Sequence, residues 1–418
     1  MHMTLINSIL HSWDSAYQRN ETIIKSFSKL FVLWFSIRII SGLFLSVVSG
    51  LRPITDLEQQ IALLPPSQPF MDWLTRTFLS PWLRWDAVWF VRIVSQGYHA
   101  TDGTALFHPL YPVLARPLFL LNLNAIFSLL IVSAVACIGL LISFRYLANL
   151  DLKSSQAQFG ILLLLSAPPA FVLFAPYTEG LFLFLAILCF LFAHKKLWWL
   201  AGIAGGLASL TRQQGTLLLI PVAWEMWESV GYSFKQAIKH WKLLFPLTLI
   251  PGGYLIWIIY RALILNDVHL NLSNPISSLS SLLLSPSGTK VVPIHGITWP
   301  WTAIQMAVQK LILQPDLDIW INVILGIGFL VLLGISWKRM KWSYRLYVLA
   351  ITILSFSFNT GTVHPYMGLP RHLLLAFPVF IGAASAFDTP WKRLTIIALS
   401  SGGWFVLLSL YGLQAWIP

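Results

Sequence analysis

Residues 125–148 read AIFSLLIVSAVACIGLLISFRYLA. Their first twenty carry no charge. At about 1.5 Å of helical rise per residue, that is the length needed to cross the roughly 30 Å hydrocarbon core of a bilayer. The rest of the chain repeats the theme. Of its 418 residues 57% are hydrophobic and 10% charged, and the mean hydropathy is +0.74. A soluble domain carries about 25% charged residues. So few charges cannot cover a water-exposed surface, so a soluble enzyme and a disordered chain are both excluded. Cys137 and Cys189 both lie in apolar stretches, which excludes a disulfide framework and a zinc cluster. The net charge of +12 reads as basic residues kept on the cytoplasmic side rather than as a nucleic-acid surface.

The expected fold is therefore an all-α polytopic membrane protein, a single integral membrane domain over 1–418. A polar lead with Asp14, Arg19, Glu21 and Lys25 precedes the first apolar run, 27–50, which holds Arg38. No cleavage site follows it, so it reads as a spanning helix rather than a signal peptide. Later runs cover 125–148, 157–175, 180–194, 197–211, 214–230, 243–264, 319–337, 345–360, 371–387 and 393–413, giving about eleven helices. With the N-terminus cytoplasmic, alternate connectors hold Arg145/Lys153, Lys195/Lys196, Lys235/Lys239/Lys242, Lys338/Arg339/Lys341/Arg345 and Lys392/Arg393 on one side. Trp198, Trp199, Trp227, Trp241, Trp337, Trp342 and Trp391 flank those connectors as an interfacial belt would. Two large pieces are left outside. Residues 51–124 read as a folded loop with amphipathic helices at the membrane surface, in which 108–121 is too short to span. Residues 265–318 are Ser-rich with Pro275 and Pro286. No internal repeat is visible, which weighs against a transporter.

The acids and bases at the external ends are the candidates for chemistry. In Arg84-Trp85-Asp86-Ala87-Val88-Trp89-Phe90, helical winding puts Asp86 on an aromatic face with Trp82, Trp89, Phe90 and Ile93. Either it caps a helix or pairs with a base from elsewhere, or it is a partly desolvated carboxylate suited to general-base work. His108 sits beside a turn bracketed by Pro109 and Pro112, and Asp102 lies six residues before it, next to Gly103. Tyr177-Thr178-Glu179 separates two apolar helices, where an acid is costly unless exposed or paired. Arg212, in Thr211-Arg212-Gln213-Gln214-Gly215, suits an anionic partner, either a ligand or an acid such as Glu179. His364-Pro365-Tyr366 and Pro370-Arg371-His372 close a further external loop. No metalloprotease, P-loop or dinucleotide motif occurs in a credible context.

Taken in order, WDAVWFVRIVSQGY (85–98), ALFHPLYPVLARPL (105–118), PYTEGLFLFL (176–185), GLASLTRQQGTLL (206–218) and PRHLLLAFPVF (370–380) resemble the PIG-V-like family of the second GPI mannosyltransferase and its bacterial relatives. The resemblance covers roughly 80–220 and 364–385. It implies a GT-C-type fold and an inverting sugar transfer from a polyprenyl-phosphate donor to a glycan or glycolipid acceptor on the external or lumenal face. It makes Asp86 the acid of the family's Trp-Asp motif and Glu179 the acid of its Tyr-Ser-Glu motif, with Thr178 in place of Ser. Mannose is implied by the family alone. The family often has His where Trp89 stands and Phe where His108 stands, and an acid closer to the Gly-Tyr pair than Asp102.

In such a transfer the acceptor hydroxyl loses a proton as it attacks, and Asp86 is the expected base. The leaving phosphate gathers charge that cations stabilise. Arg212, Arg371, His364 and Arg92 are the candidates, with His108 and Tyr177 as further substrate contacts. No cofactor is expected; a divalent metal is compatible with the chemistry, but the acids are few and scattered. The expected partners are the lipid-linked donor, the acceptor and membrane lipid, with no nucleic acid. A transporter or flippase of a polar or lipid-linked substrate is the alternative, and a non-catalytic scaffold a third reading.

Overall fold

The computed structural model describes residues 27–52, 73, 75–239, 241–267, 296–362, 364–366 and 368–415. Much of the 51–124 and 265–318 stretches expected outside, residues 53–72 and 268–295, therefore lies outside the described residues. The helices are α1 (Phe27–Ser49), α2 (Asp86–Gln96), α3 (Leu110–Leu120), α4 (Ala125–Asn149), α5 (Ser154–Ser166), α6 (Glu179–His194), α7 (Trp198–Thr211), α8 (Leu219–Ser229), α9 (Phe234–Lys239), α10 (Phe245–Tyr260), α11 (Pro300–Leu313), α12 (Leu317–Trp337), α13 (Trp342–Ser357), α14 (Leu369–Leu374), α15 (Pro378–Ala386) and α16 (Pro390–Gly412). Strands β1 (Gly296–Ile297) and β2 (Phe358–Asn359) form one two-residue antiparallel pair, Gly296 opposite Asn359.

Among the described residues, five helices are long and apolar enough to cross a membrane: α1, α4, the continuous 241–265 segment built on α10, α12 and α16. The other apolar runs are shorter or broken. The run 157–175 ends as an α-helix at Ser166, because Pro168 and Pro169 cannot continue it, and goes on as a 3-10 turn over Pro168–Leu173. The run 371–387 is likewise cut between Leu374 and Pro378, and 214–230 begins as a 3-10 turn before α8. Leu110–Leu120 is eleven residues, too short to span, as its sequence implies. The Ser-rich 265–318 stretch contains a 14-residue helix, α11.

Large apolar side chains face outward on the long helices: Val32, Phe35, Ile40 and Val47 on α1, Ile324, Ile327 and Val331 on α12, Leu394, Leu399 and Val406 on α16. Water would penalise such a belt; a bilayer solvates it. Inside, α4, α6, α7 and α10 pack side by side in that order. Lipid supplies no hydrophobic drive between helices, so close backbone approach through small residues does the work. Gly202 and Gly206 place α7 directly against the backbone of α10, and a Cβ on Gly253 of α10 would lie 2.0 Å from the carbonyl oxygen of Gly206.

The second half joins through α12, α15, α5 and α16. Helix α14 sits at the seam, touching α12, α13 and the 168–173 turn. Asn322, fully buried on α12, fixes it: its Nδ2 donates to Asp318 O (2.8 Å) and its Oδ1 accepts from Leu369 N (3.0 Å).

Helix α6 separates two polar ends by about 24 Å. At its His194 end, Nδ1 lies 3.8 Å from Glu225, Lys341 pairs with Asp151, and Trp224 meets Trp342 at 6.2 Å. Asp151 and Lys341 belong to the basic connectors, His194 and Trp342 border them, and Trp224 and Glu225 lie on α8. The Glu179 end gathers the acids and arginines described below. The basic-connector pattern of the sequence predicts that the His194 end is cytoplasmic. In intact cells, an impermeant thiol reagent is therefore expected to label Thr101→Cys and Gln314→Cys and to spare Ser155→Cys and Ser233→Cys. Native Cys137 and Cys189 are buried and give no background. Labelling of the second pair alone would invert the orientation.

Candidate active site

The Asp86 segment bends before it becomes helix. Trp85 holds φ 53°, a left-handed conformation costly for a bulky aromatic residue. Such strain persists where the surroundings fix it, and it clusters at functional sites. The bend makes Asp86 the first residue of α2, so its carboxylate meets the positive end of the helix dipole. The sequence reading wound the helix through Trp82; that residue instead belongs to a separate 3-10 turn, Ser80–Trp82. The remaining face is as expected, with Phe90 and Ile93 buried.

Glu179 occupies the matching place on α6, in the first turn, with its side chain only 1% exposed. Arg212 terminates α7 in extended conformation, beside the negative end of that helix. Arg371 rides on α14, whose entry Gly368 takes at φ 73°. These four side chains, spread over 286 positions of sequence from 86 to 371, meet in one line. Arg371 Nη1 lies 2.8 Å from Asp86 Oδ2 and its Nε 3.0 Å from Glu179 Oε1. Arg212 Nη1 donates to the same Glu179 Oε1 at 2.7 Å and to Thr178 Oγ1 at 2.9 Å. The Arg371 guanidinium also lies 5.1 Å over the Tyr177 ring. Two acids and two bases leave the line without net charge.

The bonds within it are unequal. Both Arg212 contacts have hydrogen-bond geometry. The Arg371 contacts are short but misaligned, leaving Nε and Nη1 without a directional partner. They act through charge rather than through aligned hydrogen bonds. Glu179 Oε2 and Arg212 Nε are also buried without a partner. Asp86, its side chain 30% exposed, is the open end of the line.

The other expected contacts lie outside it. Arg92 Nε pairs with Asp102 at 2.9 Å, and Asp102 also accepts from Thr104 N and Oγ1 at 2.9 and 2.6 Å. Burial opposes ionisation of Asp102, but the Thr104 hydrogen bonds and the Arg92 charge outweigh it and hold its carboxyl below the usual range. This lock is present at neutral pH and is lost as pH falls through that lowered value. His364 Nδ1 lies 2.9 Å from Asp318 Oδ2, and His372 meets the Phe358 ring edge-on at 5.1 Å. His108 stacks on Tyr254 of α10 at 5.7 Å. Burial, with Arg212 and Arg261 nearby, pushes His108 down to about 3, so it is neutral at physiological pH. Sequence reasoning did not single out Asn322, Asp318, Tyr254 or Arg261. An Asp at the start of an apolar run was the available signal for Asp318. Among the described residues no three His, Cys, Asp or Glu side chains gather as metal ligands would.

No family model matches the sequence, and no curated protein is similar to it. Among solved structures, the chain is similar to ArnT from Cupriavidus metallidurans bound to undecaprenyl phosphate. The TM-score is 0.48 and the identity 10%, over 92% of this chain and 76% of that one.

Removing the shared acid should be the most damaging change in the line. Glu179→Ala leaves two largely buried guanidiniums without their common counter-charge, a loss on the order of 3–5 kcal/mol. Glu179→Gln keeps a hydrogen-bond acceptor and should cost less. Thermal unfolding in detergent is expected to rank wild type above Gln and Gln above Ala.

Proposed function

We propose that the protein is an inverting GT-C-type glycosyltransferase, taking a sugar from a polyprenyl-phosphate donor to an acceptor at the Glu179 end of the bundle. The observation that carries this reading is the convergence of Asp86, Glu179, Arg212 and Arg371. Each lies in a stretch that resembles a different motif of the PIG-V-like family, and all four meet at one membrane-facing end. Mannose as the sugar and a glycan or glycolipid as the acceptor follow from that resemblance. In this reading the chain crosses the membrane eleven times, the six shorter apolar runs adding to the five long helices. The N-terminus is cytoplasmic and the line of charges external, where nucleotide sugars are not supplied and a lipid-linked donor is the logical one.

Asp86 is the base. It is the exposed member of the line, at the N-terminus of α2. The acceptor oxygen attacks the anomeric carbon as the carboxylate takes its proton. The bond from that carbon to the phosphate oxygen breaks, and the electron pair leaves with the polyprenyl phosphate. Arg371 is the cation best able to meet that charge, because its contacts to Asp86 and Glu179 are misaligned and easily exchanged. A phosphate arriving beside it draws the guanidinium from Asp86 and frees the carboxylate for the acceptor. Glu179, sealed between two arginines, is a positioning residue rather than a reacting one. Arg212 holds Glu179 in place. Arg92 and His364 brace their own loops through Asp102 and Asp318.

The deciding experiment offers purified protein a panel of polyprenyl-phosphate sugars and looks for release of polyprenyl phosphate. Asp86→Asn should remain folded, since the side chains are nearly isosteric, and transfer should fall by at least ~10²-fold. Near-normal turnover by that folded variant would remove Asp86 from the mechanism. Arg371→Lys replaces a planar fork with a point charge. Its half-saturation for donor should rise about tenfold while its melting temperature stays close to wild type. Unchanged donor use would remove Arg371 from phosphate recognition.

A further inference from the structure

Helix α11 turns its residues the wrong way for an element bathed in water. Trp301, Ile304, Val308 and Ile312 recur at three- and four-residue spacing and form one stripe. All four point outward, Trp301 being 63% exposed and Ile312 74%. Gln305 and Gln309 lie along one margin of the stripe, and no charged side chain stands among the exposed residues of the helix. Its one charge, Lys310, is buried, where its Nζ meets Asp316 at 3.0 Å. The rest of the inward face is small, with Ala303 and Ala307 buried. A surface helix in water does the opposite: lysine goes out, and Ile and Val go in.

Two observations say what covers the stripe. The first is continuity. After the short turn 314–316 the exposed apolar surface runs on along α12 through Leu317, Trp320, Ile324 and Ile327, part of the belt that a bilayer solvates. The second is the pair of rings where the helix starts. Trp299 and Trp301 stack at 4.9 Å and both are exposed, as aromatic side chains at head-group level are. At fourteen residues, or about 21 Å, α11 is too short to span. It stands at the Glu179 end of the bundle, because Leu317 and Trp337 are opposite ends of α12 and Trp337 borders a basic connector.

We propose that α11 lies in the plane of the membrane surface at the Glu179 end, with its Trp301–Ile312 stripe sunk into the acyl boundary of that leaflet. Lipid is the occupant: the stripe carries no charge, and its glutamine margin faces the head groups. Behind the helix, Ala303 and Ala307 share an apolar cluster with Leu369 and Leu373 of α14. Those two leucines stand four residues apart on one face of α14, and Arg371, midway between them, stands on the other. Bilayer, α11 and α14 therefore follow one another as layers on the way to Arg371. The placement of α11 does not depend on the transfer reading above.

The test puts a nitroxide on the full chain in phosphatidylcholine–phosphatidylglycerol vesicles, through Ile304→Cys, Val308→Cys or Ile312→Cys. Native Cys137 and Cys189 are buried and take no label. Collision with oxygen, which concentrates among acyl chains, is compared with collision with a water-soluble nickel chelate. Ile327→Cys on the α12 belt and Gln314→Cys in the turn after α11 are the references. The oxygen-to-nickel ratio at all three stripe positions should follow Ile327→Cys, and at the margin, Gln309→Cys, it should fall between the references. A ratio like that of Gln314→Cys along the stripe would put this face in water and overturn the proposal. Weak collision with both reagents would mean a protein cover, either residues 268–295 or a second copy, and would overturn it equally. Lipid brominated on its acyl chains gives a second readout that needs no cysteine variant. It should quench a smaller share of the fluorescence in a Trp299→Phe, Trp301→Phe double variant than in wild type, and an unchanged share would take both rings out of the membrane. None of these results alters the assignment of Arg371 to phosphate, which the donor titration decides separately.

Discussion

The arrangement depends on one carboxylate oxygen. Glu179 Oε1 holds Arg212 at 2.7 Å and Arg371 at 3.0 Å, and through Arg371 it reaches Asp86. In a low-dielectric interior an isolated guanidinium is very costly, so each arginine is tolerable only because this acid is there. The acid is tolerable for the same reason, helped by its place in the first turn of α6. Three remote pieces of chain, ending at 179, 212 and 371, are thus brought to one point by mutual need. The packing around them supports that point: α14, which carries Arg371, is anchored through Asn322 on α12, and α7, which carries Arg212, is seated on α10 through glycine contacts.

How much of this could be read from residue order differs from place to place. Charges in apolar surroundings are loud signals. Asp86, Glu179, Arg212 and Arg371 stood out because a bilayer makes such residues expensive. Arg212, open in the sequence between a ligand and an acid, pairs with Glu179 in this structure, a partner visible beforehand only as one of several acids. The five long helices were legible from length and apolarity alone. Breaks in the others were less so: Pro168 and Pro378 stop helices whose hydropathy runs straight on. The start of α2 was missed by a turn, because the left-handed backbone at Trp85 has no glycine to announce it. Asn322 was invisible for a different reason. It bonds a backbone N–H 47 positions away, and no local pattern encodes such a contact.

Arg212 binds Glu179 on one side and lies near His108 on the other. That position gives the residue no spare charge for a ligand. In the proposed transfer the anionic leaving group therefore falls to Arg371 rather than to Arg212.

The glycine contacts between α7 and α10 carry a mechanical consequence. Backbones that touch without intervening side chains have no room to slide, so α7 and α10 move as one body. Arg212 at the end of α7 and the aromatic face of α10 are therefore fixed relative to each other. The Arg371 side of the charged line is built differently. There, α14 is six residues long, entered through a left-handed glycine, and its arginine is held by misaligned contacts. Where the glycines lie thus sets which side of the charged line is rigidly mounted.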